Sequence, residues 1–267
     1  MRILILQFSG TGNTYYVANL MKKAFTSHEN EVVCYPIEKL TDVNELISQY
    51  DVFGIGFPIY GSDMPSIVKN LVETIHQNEG KRAFTFCTQM MYSGDGAAYL
   101  AKKLIKKGFI VRQCEHFNMP NNLRDYAKFL PTKVNYQKLE KRIGKKVNKF
   151  CLAIENNQRR RKGMNILSNF LGWIQRYPYQ KMTKDRLIEV LIDKSCILCK
   201  KCVSLCPVTN FSIENGKLVD NKKCILCYRC INHCPVNALH INPKNNVDKP
   251  YHGPTANFKI DDVMKSI

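Results

Sequence analysis

Five short apolar runs punctuate the first 158 residues: Ile3–Leu6, Val32–Tyr35, Val52–Phe57, Ala83–Cys87 and Phe109–Val111. Between them, apolar residues recur at helical spacing over Thr14–Phe25 (Val17, Leu20, Met21 and Ala24 on one face), Pro65–His76 and Ala97–Lys107, with a last helix through Val134–Ile154. Runs that are apolar at consecutive positions suit strands covered on both faces, as in a parallel sheet. Strand–helix alternation of this kind predicts an α/β domain over 1–158, a doubly wound five-stranded parallel sheet that binds ligands beyond the C-terminal strand ends.

After residue 158 the pattern changes. The basic run Arg159-Arg160-Arg161-Lys162 precedes Ile166, Leu167, Phe170, Leu171 and Ile174, which recur at helical spacing until Pro178. This predicts an amphipathic connector over 159–189 whose apolar face packs between the units it joins; lying on a membrane surface is the alternative. A small cysteine-rich α+β unit over 190–243 follows. The tail, 244–267, is polar and marked by prolines at 243, 250 and 254, and is expected to wrap the surface or fray.

Eight of the twelve cysteines fall between Cys196 and Cys234, in a motif written twice. Cys196-x2-Cys199-x2-Cys202-x3-Cys206-Pro207 recurs as Cys224-x2-Cys227-x2-Cys230-x3-Cys234-Pro235, 28 residues on throughout. Three thiolates two residues apart can surround one face of a cubane cluster, whereas structural zinc sites pair C-x2-C knuckles across a longer loop. Between the copies, Ser212–Val219 alternates around Asn215-Gly216, a hairpin signal. His233, beside Cys234, is read as a surface residue. The unit resembles the bacterial two-cluster ferredoxins. That resemblance implies two 4Fe-4S clusters, with each fourth cysteine crossing over: Cys196, Cys199, Cys202 and Cys234 on one, Cys224, Cys227, Cys230 and Cys206 on the other. Cys34, Cys87, Cys114 and Cys151 stand singly and read as small buried hydrophobes.

The loop after the first strand reads Ser9-Gly10-Thr11-Gly12-Asn13-Thr14. Its glycines permit a tight turn, and its hydroxyls and free N–H groups at a helix start make an anion nest. With no Lys or Arg from Ile3 through Met21, a phosphate there is expected to be held by neutral donors alone. The loop is similar to the phosphate loop of the flavodoxins, which bind FMN. Two later loops extend the likeness. Phe57-Pro58-Ile59-Tyr60-Gly61-Ser62-Asp63-Met64-Pro65 resembles the loop over one flavin face, which implies a stacking Tyr60 and a Gly61 free to turn its peptide towards the flavin N5. Thr88-Gln89-Met90-Met91-Tyr92-Ser93-Gly94-Asp95-Gly96 resembles the loop on the other edge, with Tyr92 as a second stack.

The net charge of +18 is uneven: residues 121–195 carry 18 Lys and Arg against 6 Asp and Glu, whereas 1–120 carry 12 against 11. An acidic partner could use that excess, although solvated helix faces account for it equally. No DNA-reading motif accompanies it. Neither a secretory signal nor an eighteen-residue apolar span is visible, which predicts a cytoplasmic protein. The whole resembles the flavodoxin–ferredoxin fusion proteins. The resemblance implies an electron carrier that docks its two domains and serves redox partner proteins. The alternatives are a flavin-dependent reductase of a small molecule fed by the clusters, and a redox or iron sensor.

Overall fold

The apolar runs form strands, each longer than its run: β1 (Arg2–Gln7), β2 (Glu31–Pro36), β3 (Val52–Pro58), β4 (Arg82–Gln89) and β5 (Ile110–Asn118). They were traced in a computed structural model that describes residues 1–123, 133–184, 189–241 and 250–265. The sheet is parallel, in the order β2-β1-β3-β4-β5, and a two-residue β6 (Arg160–Arg161) pairs beyond β5. Five strands are thus as expected, with a short sixth added at the edge. Two arginines carry no apolar signature, so pattern reading could not find that strand. Its location follows a charge instead. Glu115 on β5 is buried, and Arg160 Nε lies 2.7 Å from its carboxylate, with Lys146 Nζ at 3.2 Å.

Helices α1 (Asn13–Ser27) and α5 (Tyr136–Glu155) cover one face of the sheet. The other carries α2 (Val43–Ser48), α3 (Ser66–Thr74) and α4 (Ala97–Lys106). Six residues are too few to show helical periodicity, so α2 is legible only through its cap: the Asp42 carboxylate accepts from the Asn44 and Glu45 N–H groups. Phe84, Phe117 and Phe150 meet edge to face under α5. The single cysteines are buried as expected, and burial pushes the Cys34 and Cys114 thiols up to about 12.

Burial alone would raise the Glu115 carboxyl, but Lys146, the His116 N–H and Arg160 outweigh it and hold the group below its usual range. Its folded value therefore lies below its unfolded one. The stabilisation is full above about pH 4.3 and is lost as pH falls through the folded value. Glu115→Gln is expected to flatten the acid limb of a stability–pH curve measured by urea unfolding. An acid limb identical to that of the native chain would contradict this.

The connector departs from expectation in two ways. Helix α6 (Ile166–Lys184) runs straight through Pro178. Its apolar stripe is also mostly not packed between domains: Ile166, Leu167, Phe170 and Ile174 are exposed, at 88%, 66%, 56% and 45%, as is Trp173 beside them, and Leu171 alone of the stripe is half-buried. The buried face holds Ser168, Gly172 and Arg176 instead. The reason is a charge. Arg176 grips Asp95 with two nitrogens at 3.1–3.2 Å, donates to the Ser62 carbonyl at 2.8 Å, and lies 3.7 Å over the Tyr99 ring. Beyond the proline, Gln180 donates to Asp63 at 2.8 Å, so both halves of the helix are tied to the domain beneath. Among the described residues no helix is long and apolar enough to cross a membrane.

The cysteine-rich unit is a near repeat of itself. Helices α7 (Lys201–Leu205) and α8 (Arg229–His233) stand 28 positions apart, as do the left-handed residue pairs Leu198 and Leu226, Lys200 and Tyr228, Thr209 and Asn237. Strands β8 (Phe211–Glu214) and β9 (Lys217–Asp220) form the expected hairpin, with Asn215 and Gly216 at φ 48° and 71°. Strands β7 (Leu191–Ile192) and β10 (Leu239–His240) close the unit. The described part of the tail does not fray. Tyr251 is buried, its N–H reaching Asn232 Oδ1 and its hydroxyl reaching Asn13 Oδ1 at 2.8 and 2.6 Å. His233 is half-buried against Phe258, and not on the surface as expected. The tail residues 242–249 lie outside the described residues.

Candidate functional site

The strand order reverses between β1 and β3, and a cleft opens beyond their C-terminal ends, where this topology binds ligands. Its empty volume is about 520 Å³, open mouth included. Ser9, Gly10, Thr11, Asn13, Thr14, Pro58, Ile59, Tyr60, Thr88, Gln89 and Met90 line it, so most of the expected site residues come together there. Four more were missed: Pro120, Asn121, Asn122 and Leu123, from the loop after β5. The same sheet edge carries that loop, which is the only signal that could have flagged it.

The β1–α1 loop is shaped by its own polar groups. Gly12 caps α1 at φ 96°, a left-handed conformation that suits glycine, and its N–H donates to Ser9 Oγ at 3.1 Å. Thr14 Oγ1 lies 2.8 Å from Thr88 Oγ1, and Asn122 Nδ2 donates to Thr11 Oγ1 at 2.8 Å. The first-turn N–H groups of α1 have no intrahelical acceptor, and no acidic side chain occupies that turn. Hydroxyls and free N–H groups at a helix start suit a phosphate. Tyr60 sits inside the cleft wall, and its buried hydroxyl has no hydrogen-bond partner among the described residues. The residues present therefore fit FMN. Replacing Thr11 and Thr14 together with alanine should weaken FMN binding at least about tenfold, since each removes a hydrogen bond to a charged group. Iron content should stay unchanged. Equally tight binding of FMN by the variant, measured by flavin fluorescence titration, would count against the phosphate nest.

Some expected flavin contacts face elsewhere. Gly61 does not line the cleft, and a Cβ there would collide with Tyr179 of α6. Tyr92 is half exposed, does not line the cleft and bonds Ser168 Oγ at 3.1 Å. Gly94 lies against Gly172, and Ser93 bonds the Gln89 side chain. Gly12 faces the tail, where Phe258 and Pro254 close over it. Local sequence could not reveal these contacts, because the connector and tail supply them from far along the chain.

The cysteines gather as two quartets. Cys196, Cys199, Cys202 and Cys234 line one pocket walled by Ile197, Leu198, Leu218 and Leu239. Cys206 lies within electrostatic reach of Cys224, Cys227 and Cys230. Among the described residues no three Cys, His, Asp or Glu side chains converge on a single-ion position. Burial pushes Cys224 up to about 12 and Cys202 and Cys227 up to about 11, so these thiols keep their protons until a metal replaces them. Both crossing cysteines accept a backbone N–H at matching positions: Asn210 to Cys206 at 3.2 Å, Ala238 to Cys234 at 3.3 Å.

Sequence reading missed what joins the two sites. Arg229, between Cys227 and Cys230, is fully buried and makes five hydrogen bonds. It donates to both Glu38 oxygens (2.6 and 2.9 Å), to the carbonyls of Ser9 (2.8 Å) and Gly10 (3.2 Å), and to that of Leu205 (3.0 Å). A cation therefore stands behind the phosphate loop, bonded to its carbonyls and not lining the cleft. It comes from about 220 residues along the chain, and Glu38 balances its charge. Gly10 has no side chain because the Cys227 carbonyl oxygen occupies that space.

The flavodoxin-domain family model matches residues 4–130, and the 4Fe-4S dicluster-domain model matches residues 180–239. Solved structures similar to this chain include oxidised flavodoxin 2 from Bacillus cereus, at 20% identity and TM-score 0.45 over 59% of this chain and 99% of that one. Two-electron reduced Megasphaera elsdenii flavodoxin gives 22% and 0.41 over 55% and 98%, and a flavodoxin from the Archaea gives 14% and 0.42 over 58% and 99%. No curated protein matches the chain. The chain thus carries a flavodoxin domain, which implies FMN, followed by a 4Fe-4S dicluster domain, which implies iron–sulfur clusters, and the pair supports electron transfer in general.

Proposed function

We propose that the protein relays electrons between its clusters and its flavin within one chain, and from there to redox partner proteins. The observation that carries this reading is the contact of the Cys227 backbone with Gly10 of the phosphate loop. In this reading the quartet of Cys224, Cys227, Cys230 and Cys206 holds the inner cluster. The quartet of Cys196, Cys199, Cys202 and Cys234 holds the outer one, beside exposed Ile197 and Lys200 where a partner can approach. When bound, the clusters supply single electrons, and FMN stores two and releases them one at a time.

The chain's own residues supply the fixed geometry. Ile225 and Cys227 belong to the same apolar cluster as Phe8, Tyr60 and Met64, so one cysteine of the inner quartet reaches the flavodoxin core, while Cys206, Cys224 and Cys230 pack with the small unit's own core. Arg229 and Glu38 lock the docking, and Asn232 donates to the Asn122 carbonyl at 2.9 Å across the same seam. Helix α6 staples the loops after β3 and β4 through Arg176. The test is rapid-mixing reduction of the intact holoprotein over a dilution series. Flavin reduction following cluster reduction is expected at a rate independent of protein concentration. A rate proportional to concentration would mean transfer between molecules, and the internal relay would fail.

A further inference from the structure

We propose that α6 seats this protein on the surface of an anionic phospholipid bilayer. The helix is unusual in which face it hides. Its small and polar side, Ser168, Gly172 and Arg176, is clamped to the flavodoxin loops. The opposite side offers Ile166, Leu167, Phe170, Trp173, Ile174 and Tyr177 to solvent, with the Phe170 and Trp173 rings stacked 6.3 Å apart. Isolated surface apolar residues need no explanation, but a contiguous patch of large side chains marks an interaction site.

Charge selects the occupant. Residues 156–184 contain seven Lys and Arg and no Asp or Glu. Arg159 and Lys181 are exposed near the ends of the stripe. Aromatic and aliphatic residues on one face, with bases beside them and no carboxylate to repel lipid headgroups, match the chemistry of helices that lie in a membrane interface. The helix is held rigid by Arg176 and Asp95, so the patch is present before binding and needs no ordering when it docks. Such a seat would place the loops after β3 and β4 next to the membrane.

The chain contains a single tryptophan, Trp173, in the middle of the stripe. The experiment incubates the intact holoprotein with vesicles of equimolar phosphatidylglycerol and phosphatidylcholine, or of phosphatidylcholine alone, and follows flotation and Trp173 emission. Binding to the anionic vesicles with a blue shift is expected, weakening as salt shortens the screening length. Ile166→Ser with Leu167→Ser leaves the Phe170–Trp173 stack, the cleft and the cysteines untouched, and should reduce the partition at least about tenfold at unchanged FMN and iron content. Protein that stays unbound and unshifted with anionic vesicles overturns the proposal and assigns the face to a protein partner. Equal flotation of the double variant overturns it too, since the bases alone would then explain the binding.

Discussion

Replacing Arg229 with alanine should lower the unfolding free energy by about 3–5 kcal/mol, the usual effect of removing one partner from a buried ion pair. The variant leaves the Glu38 carboxylate without its cation and strips the donor from the carbonyls of Ser9, Gly10 and Leu205. Against a typical stability of about 5–15 kcal/mol, that is a large fraction. The loss should also loosen FMN, because the phosphate loop is braced from behind by those two carbonyl bonds. Arg229→Lys should recover little, since a point charge cannot span a carboxylate and three carbonyls at once. Urea unfolding of the holoprotein measures the effect. A change below about 1 kcal/mol would mean that the domains are held elsewhere and that the pair is incidental.

Replacing Cys206 with alanine should reduce the iron content from about eight to about four per chain. The surviving cluster should be the one next to it in sequence, held by Cys196, Cys199, Cys202 and Cys234, because Cys206 stands with the other quartet. The check is comparative. Paramagnetic resonance spectra of reduced Cys206→Ala and Cys230→Ala should show the same residual centre, and that of Cys202→Ala a different one. If Cys206→Ala instead matched Cys202→Ala, the crossing would be wrong. The magnetic interaction between centres should vanish in all three. Some loss of stability is also expected, as the described core of this unit is only Val190, Phe211, Tyr228, Ile231 and Leu239.

The basic segment 121–195, unassigned from sequence, divides by neighbourhood. Arg160, Lys146 and Lys162 gather on buried Glu115, and Arg176 holds Asp95. Exposed Arg159 and Lys181 stand beside an apolar stripe. Charge counts along a chain cannot separate these roles, because a base at the surface and a base over a buried carboxylate look alike until the carboxylate's depth is known.

The local chemistry was written in the sequence. Consecutive apolar residues can only be strands covered on both sides, so the parallel sheet and its ligand edge followed from the pattern. Cysteine spacing is set by the reach of a three-residue turn around a cluster, and Asn215-Gly216 by a turn needing two left-handed residues. Each of these constraints acts within a few residues. Tertiary structure alone decided what happens between distant segments. The arginines of β6, the burial of Arg229 against Glu38, the entry of Tyr251 beside Asn13 and the choice of which face α6 hides depend on partners roughly 45 to 240 residues away. The α6 stripe shows the physical reason most directly. Periodicity identifies the apolar face, yet the polar face turns inward, where Arg176 joins Lys102 on the buried Asp95 carboxylate.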